Sequence, residues 1–284
     1  MRIPSKLNEI ADVIVAAGGH PFIVGGSVRD HLMGLEPKDF DVEVFKLNFK
    51  ELSFLLEKFG KPNMVGQAFG IINLRIDGES FDFSIPRREN RIGVGHKDFL
   101  VECDPSMSFQ DAASRRDFTV NAIGFDLASN AVVDPFNGVA DIQKKILRPT
   151  SEAFKEDALR VLRAMQFAAR FDFNGTDDLC IMTRAMIKDF DALPVERLWG
   201  EWEKWALKGK FPSSGLIQLE RCGWLKLFSE INDLFGIPQD KEWHPEGDAL
   251  WHTMLVCDAA AEIAEREQLD DFERCVLMFA ALCH

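Results

Sequence analysis

The sequence predicts a mixed α/β head over residues 1–147 followed by an all-α remainder, and two observations predict it. Up to Ile146, short apolar runs of strand length alternate with helical stretches and turn signals. From Ser151 onward, apolar residues recur at helical spacing almost throughout. The boundary falls near Arg148 and Pro149. Breakers at Asn174 and Gly175, at Pro194, and at Pro212 with Gly215 divide the helical part further, into residues 148–210 and 211–284. A chain of 284 residues with 46% apolar content suits about two domains of roughly 100–200 residues each.

At the start of the head, Ser5 precedes Leu7, Ile10, Ile14 and Val15, stopped by Gly18 and Gly19, which reads as an opening capped helix. Residues 21–24 form a short buried strand leading into two glycines. Alternation of Phe40, Val42 and Val44 with Asp39, Asp41 and Glu43 reads as a second strand. Residues 49–59 have helical period and end at Gly60. Two further strands, 70–76 and 80–85, are joined by Asp77 and Gly78, a strong hairpin signal. Residues 86–107 read as a polar, glycine-bearing loop, and 119–127 and 131–134 as further strand-like structure around Ser129 and Asn130.

No stretch approaches the ~18 apolar residues of a membrane span, and residues 1–19 lack the basic flank and apolar core of a signal peptide. The six cysteines are scattered without a CxxC, which points to reduced thiols in a cytoplasmic protein rather than disulfides or a zinc cluster. Net charge is −13, awkward for a nucleic-acid partner, but its distribution matters more than its sum. Residues 230–273 hold thirteen acidic and two basic side chains, whereas 144–170 hold seven basic and three acidic. Arg87, Arg88, Arg91 and Lys97 against Glu89 make a second positive stretch. Acidity therefore concentrates near the C-terminus.

The stretch 25–41, GGSVRDHLMGLEPKDFD, joins a phosphate cradle to a carboxylate pair. Adjacent glycines Gly25 and Gly26 let backbone approach a polyphosphate, and Arg29 adds a planar cationic fork on the helix after them. Asp39 and Asp41 lie two apart on a strand, so both carboxylates point to one face. Such a pair repels itself unless a cation sits between, and Mg²⁺ is the economical choice. Asp82 lies on the strand after the hairpin, where a third carboxylate could complete a two-metal phosphoryl-transfer site.

Farther on, Asp157, Arg160 and Arg163 are spaced three apart in FKEDALRVLRAMQFAARF, while Phe154, Ala158, Leu162, Met165 and Ala169 fit one apolar helical face. A carboxylate beside a guanidinium offers an acceptor next to donors. Cytosine presents an amino donor beside N3 and adenine one beside N1, so both complement the pair; guanine and uracil present the reverse order.

These residues resemble a known family. Gly25, Gly26, Val28, Arg29, Asp30, Leu32 and Gly34, followed by Asp39 and Asp41, match GGxVRDxLxG…DxD of the polymerase-beta-type nucleotidyltransferases. The match is to the class II branch of CCA-adding tRNA nucleotidyltransferases and bacterial poly(A) polymerases. Residues 114–122, SRRDFTVNA, resemble the family's second motif, with Arg116 and Asp117 at the ribose and phosphate end and Asn121 a positioning amide. The third stretch resembles the EDxxRxxR helix, which implies Asp157 and Arg160 as base readers and Arg163 toward the triphosphate. One departure is Gln166, where many relatives carry an arginine.

VERLWGEWEK, residues 195–204, resembles the ERxxxExxK helix that supports the nucleotide pocket. WHPEGDALWHTM and the terminal LMFAALCH resemble the start of an HD phosphohydrolase domain, with His252 as its first ligand and His284 as the histidine of the HD doublet.

The resemblance implies a nucleotidyltransferase head over 1–147, a helical neck recognising the nucleobase over 148–210 and a helical body over 211–284. Asp39 and Asp41 would hold Mg²⁺ with Asp82 assisting. Gly25, Gly26, Arg29, Arg116, Asp117, Asn121 and Arg163 would bind nucleotide. CTP and ATP would add to the 3′ end of tRNA as CCA. Rivals are CC-only or A-only addition and poly(A) synthesis, and, from other classes, an HD phosphohydrolase or an inactive RNA-binding protein. The family's CC-only members lack much of the loop before the second motif, whereas residues 86–107 are present here.

Overall fold

A computed structural model describes residues 1–37, 39–63, 70–91 and 99–284, of which 88–91 and 99–101 are described by backbone alone. Lys97, and the side chains of Arg88, Glu89 and Arg91 in the second positive stretch, therefore lie outside the described residues. The chain forms two compact units, Met1–Gln143 and Lys144–His284.

The first unit opens with α1 (Ser5–Ala16), β1 (His20–Val24), α2 (Gly26–Leu32), β2 (Phe40–Phe45) and α3 (Phe49–Leu56). Asn48 starts α3 with a capping box shared with Glu51. Then come β3 (Ile71–Ile76) and β4 (Glu79–Ser84). Their two-residue turn puts Asp77 at φ 51° and Gly78 at φ 90°, the twist a tight hairpin needs.

The expected loop over 86–107 is instead partly a two-stranded antiparallel ribbon, β5 (Arg87–Arg91) with β6 (Phe99–Cys103). The charged stretch RRENR hides its strand because backbone pairing, not alternation, forms it. Next are α4 (Phe109–Ser114), a 3₁₀ turn over Thr119–Asn121, β7 (Gly124–Asp126), β8 (Ala131–Val133) and α5 (Gly138–Gln143). The strand expected to begin at Thr119 thus begins later, because residues 119–121 coil first.

Six strands form one sheet in the order β3-β4-β2-β1-β7-β8, antiparallel except for β2 beside β4. On one face Phe22, Val24 and Phe45 pack with Phe109, Ala112 and Val133, and the Phe22 and Phe109 rings stack at 4.8 Å. Each such buried aromatic contributes roughly 1.5–3 kcal/mol, and together they seat α4 on the sheet. With α4 seated, Arg115 and Arg116 at its C-terminal end are fixed as well.

The second unit contains β9 (Ile146–Leu147), α6 (Arg160–Phe171), β10 (Asn174–Gly175), α7 (Asp177–Ala185), α8 (Val195–Lys208), α9 (Pro212–Arg221), α10 (Ser229–Asn232), α11 (Ala249–Arg266) and α12 (Asp271–Leu282). Its helices α6, α8 and α9 pack together around fully buried Trp205, whose indole N–H donates to the Pro212 carbonyl. Among the described residues no helix is long and apolar enough to cross a membrane.

Candidate active site

Strand β2 buries Phe40, Val42 and Val44 and turns Asp41 outward, with Glu43 half-buried on the same row. Asp39 is exposed just before the strand. Parallel pairing sets Asp41 directly opposite Asp82, and β3 sets Asn73 opposite Asp82 on its other side. Asn73 Nδ2 donates to Asp82 Oδ1 at 2.7 Å, which orients that carboxylate. Loss of water around Asp41 pushes its carboxyl above the ordinary range; the Asp82 charge adds to this, Arg116 opposes it and Asp39 adds further.

Gly25 follows β1 at φ 74°, ψ −134°, a conformation nearly restricted to glycine. A Cβ there would lie 3.2 Å from Arg116 Nη1 and 3.9 Å from Asp41 Oδ2. The first glycine, the DxD strand and the arginine after α4 therefore converge from three parts of the sequence. Arg116 is steered by Glu43, at 3.3 Å, whereas the neighbouring Arg115 turns away and donates to the Arg87 carbonyl.

Arg29, Asp117 and Asn121, which the motifs place at the nucleotide, are also hydrogen-bonded to one another. Arg29 is only 4% exposed; it donates to Asp30 Oδ1 through Nε and Nη2 and to Asn121 Oδ1 at 2.6 Å. Asn121 in turn donates to Asp117 Oδ1, which also accepts the Phe118 backbone N–H. The three are joined in a buried hydrogen-bonded chain linking α2 to the 3₁₀ turn. Buried polar groups require such partners, and a charged group requires them most.

In the second unit the expected continuous helix is interrupted. Residues Glu152–Glu156 form a 3₁₀ turn, Asp157 is extended at φ −135°, ψ 108°, and α6 starts only at Arg160. The cause is local: Asp157 Oδ1 accepts the Leu159 N–H at 3.0 Å, a turn that competes with helix. Asp157 thus lies outside the helix that carries Arg160 and Arg163. Arg160 Nη1 donates to the Ala153 carbonyl at 2.7 Å, and the Arg163 guanidinium lies over the Phe167 ring. Gln166 is buried on α6. Asp157 also pairs with Arg197 on α8.

Sequence reasoning missed Glu43, Asn73 and Arg197 as partners of these groups. Glu43 continues the period-2 row of Asp39 and Asp41, and the two-residue hairpin turn fixes Asn73 opposite Asp82, so both were within reach of the pattern. Arg197 lies forty residues from Asp157 and carries no local signal.

A hard divalent cation suits the DxD corner: burial first, and then the Asp82 and Asp39 charges, make Asp41 hold its proton more tightly, a penalty that a bound cation would relieve. Asp82 is turned toward Asn73, and the three aspartates do not form a compact three-ligand cage. Among the described residues the one such group is His244, Glu246 and His252. There Glu246 Oε1 touches Nδ1 of both histidines, and its carboxyl is lowered to about 2, first by hydrogen bonding at its own backbone and then by His252 and His244. The His284 ring is 5.7 Å from that of His252.

Residues 21–148 match the poly A polymerase head domain model. Over 244 residues the chain is 39% identical to the multifunctional CCA protein of Methylobacillus flagellatus, covering 84% of this chain and 57% of that one. It is 36% identical to the multifunctional CCA protein of Xylella fastidiosa, covering 93% and 61%. Residues 21–148 therefore carry the head domain of that family. The chain spans about three fifths of the length of those curated relatives.

The fold is shared with the Thermotoga maritima CCA-adding enzyme complexed with tRNA, at TM-score 0.70, 20% identity and coverage of 99% of this chain and 63% of that one. A CCA-adding enzyme in complex with CTP matches at TM-score 0.65 and 19% identity, covering 99% and 78%. A mixed-sheet head followed by a helical remainder is therefore an architecture shared with these structures. Family members are metal-dependent as a class.

Proposed function

We propose that this chain is a cytoplasmic, template-independent RNA nucleotidyltransferase that adds C and A to the 3′ end of tRNA from CTP and ATP, completing CCA and releasing pyrophosphate. The observation that carries the reading is the convergence of Gly25, Arg116 and Asp41, which gives a triphosphate a bare backbone edge, a cation and a metal-binding carboxylate together. The names of the relatives, multifunctional CCA protein, support the substrate.

Asp39 and Asp41 would hold Mg²⁺, with the nucleotide's own phosphates completing coordination, as this ion usually requires. When bound, the cation neutralises charge developing on the α-phosphate and lowers the pKa of the attacking hydroxyl. Asp82, oriented by Asn73, stands as acceptor for the proton of the RNA 3′ hydroxyl. Arg116, guided by Glu43, holds phosphate or ribose, and Gly25 with Gly26 provides the close backbone approach. Arg29, Asn121 and Asp117 contribute by bracing α2 behind the glycines. For the base, Asp157 and Arg160 supply acceptor and donors in the order that cytosine and adenine complement, and Arg163 supplies charge for the triphosphate.

The test supplies tRNAs ending before CCA, after C and after CC, each with CTP alone, with ATP alone and with both, and counts residues added. Completion of CCA from all three supports the proposal; stopping at CC, adding A alone or extending a long A tail assigns the corresponding relative activity. Asp39→Ala and Asp41→Ala should each abolish transfer while leaving the fold intact, and retained activity in either would overturn the metal corner.

A further inference from the structure

We infer that Arg197 is a specificity-determining positioning residue: by gripping Asp157 it fixes the acceptor through which this chain would choose cytosine and adenine. The inference rests on the base-reading role proposed above for Asp157.

Arg197 Nη2 lies 2.6 Å from Asp157 Oδ2 and Nη1 3.5 Å from Oδ1, so the guanidinium reaches both carboxylate oxygens from one side. Oδ1 also accepts the Leu159 N–H, which holds the carboxylate from its own chain. Asp157 needs such support because its backbone is in an extended break between a 3₁₀ turn and α6, where no helix restrains it. The carboxylate has about four acceptor positions, so these contacts hold it and still leave capacity for an exocyclic amino group. Arg160 is anchored to the Ala153 carbonyl. Asp157 is thus held from α8 and from its own turn, and Arg160 from the turn backbone.

Arg197 does not serve chiefly as a stability device. The side chains of the pair are 38% and 28% exposed, and ion pairs this open to water add little to folding. Geometry is what it contributes. A hydrogen bond weakens steeply once its angle is lost, so an acceptor free to rotate would pair with a correct amino group less often and exclude a wrong carbonyl less firmly. Helix α8 is a firm mount, since Trp202 and Trp205 on it are buried and it packs against α6. General support of the pocket by residues 195–204 does not predict this; a single contact to Asp157 does.

The experiment measures kcat/KM for CTP, ATP, UTP and GTP with Arg197→Met, which keeps the packing stem, and Arg197→Lys, which keeps a point charge without the fork. Melting curves accompany both. Arg197→Met should melt close to the parent and lose roughly tenfold in preference for C and A over U and G, with Arg197→Lys recovering part of it. On an Asp157→Ala background Arg197→Met should change preference no further, since the group it positions is gone. Parent-like preference in Arg197→Met, an equal loss of rate with all four nucleotides, a further loss on the Asp157→Ala background, or failure of both variants to fold would each overturn the inference. Unchanged preference in Asp157→Ala itself would overturn the base-reading role, and is thereby distinguished from failure of the tether alone.

Discussion

Replacing Gly25 by alanine tests the convergence at the head most directly. At φ 74°, ψ −134° a non-glycine residue is strained by about 1–3 kcal/mol. Taking about 2 kcal/mol, with roughly 2–4 °C of melting temperature per kcal/mol for a chain of this order, the melt should fall by roughly 4–8 °C. The new methyl would also sit 3.2 Å from Arg116 Nη1, tighter than ordinary contact, so the guanidinium tip must move by a few tenths of an ångström.

Misplacement of about 1 Å can reduce catalysis by roughly a hundredfold, so a tenfold or greater loss of transfer should accompany the smaller displacement. Gly34→Ala is the control. Gly34 has a similar φ of 76° after α2, yet nothing lies within 4 Å of its added Cβ. It should destabilise the fold by about 1–2 kcal/mol and leave transfer near the parent level. Thermal melts and initial transfer rates on both variants decide the matter. Equal activity in the two, at comparable stability, would show that Gly25 matters only as a turn and would refute the reasoning.

Two further outcomes are expected. Arg29→Ala should cost about 3 kcal/mol, because Asp30 and Asn121 lose a buried charged partner, whereas Arg116→Ala should fold almost normally and lose transfer; chemical denaturation separates them, and a normally stable Arg29→Ala that fails only in triphosphate binding would contradict the bracing role. Asp41→Asn should melt higher than the parent in metal-free buffer at pH 7. The folded carboxyl titrates above 3.8, so the folded chain holds that proton more tightly than the unfolded one; this contribution is present at low pH and is lost as pH rises through the folded value. Adding Mg²⁺ should raise the melt of the parent and not of the variant, and a lowered melt for Asp41→Asn without metal would count against a charge penalty from burial and like-charge neighbours at this corner.

Much of the head was legible because its signals are local. Alternation around Asp39 and Asp41 sets which face those carboxylates take, and Asp77 with Gly78 sets the hairpin register that places Asn73 beside Asp82. The ribbon over 87–103 escaped because charged residues can be paired through backbone alone. The interruption at Asp157 escaped because a side-chain turn outweighs helical periodicity over a few residues.

By itself the sequence determined the residue types, their order and the family they resemble, since motif chemistry is written in short runs. Only the tertiary structure decided which of those residues share partners. Arg29 is enclosed with Asn121 and Asp117, while Arg116 is brought to Gly25 and Asp41 and Arg197 to Asp157. Motif arginines look alike along a chain; burial, packing of α4 on the sheet and closure of long loops determine which one finds an internal acceptor and which remains directed at the glycines.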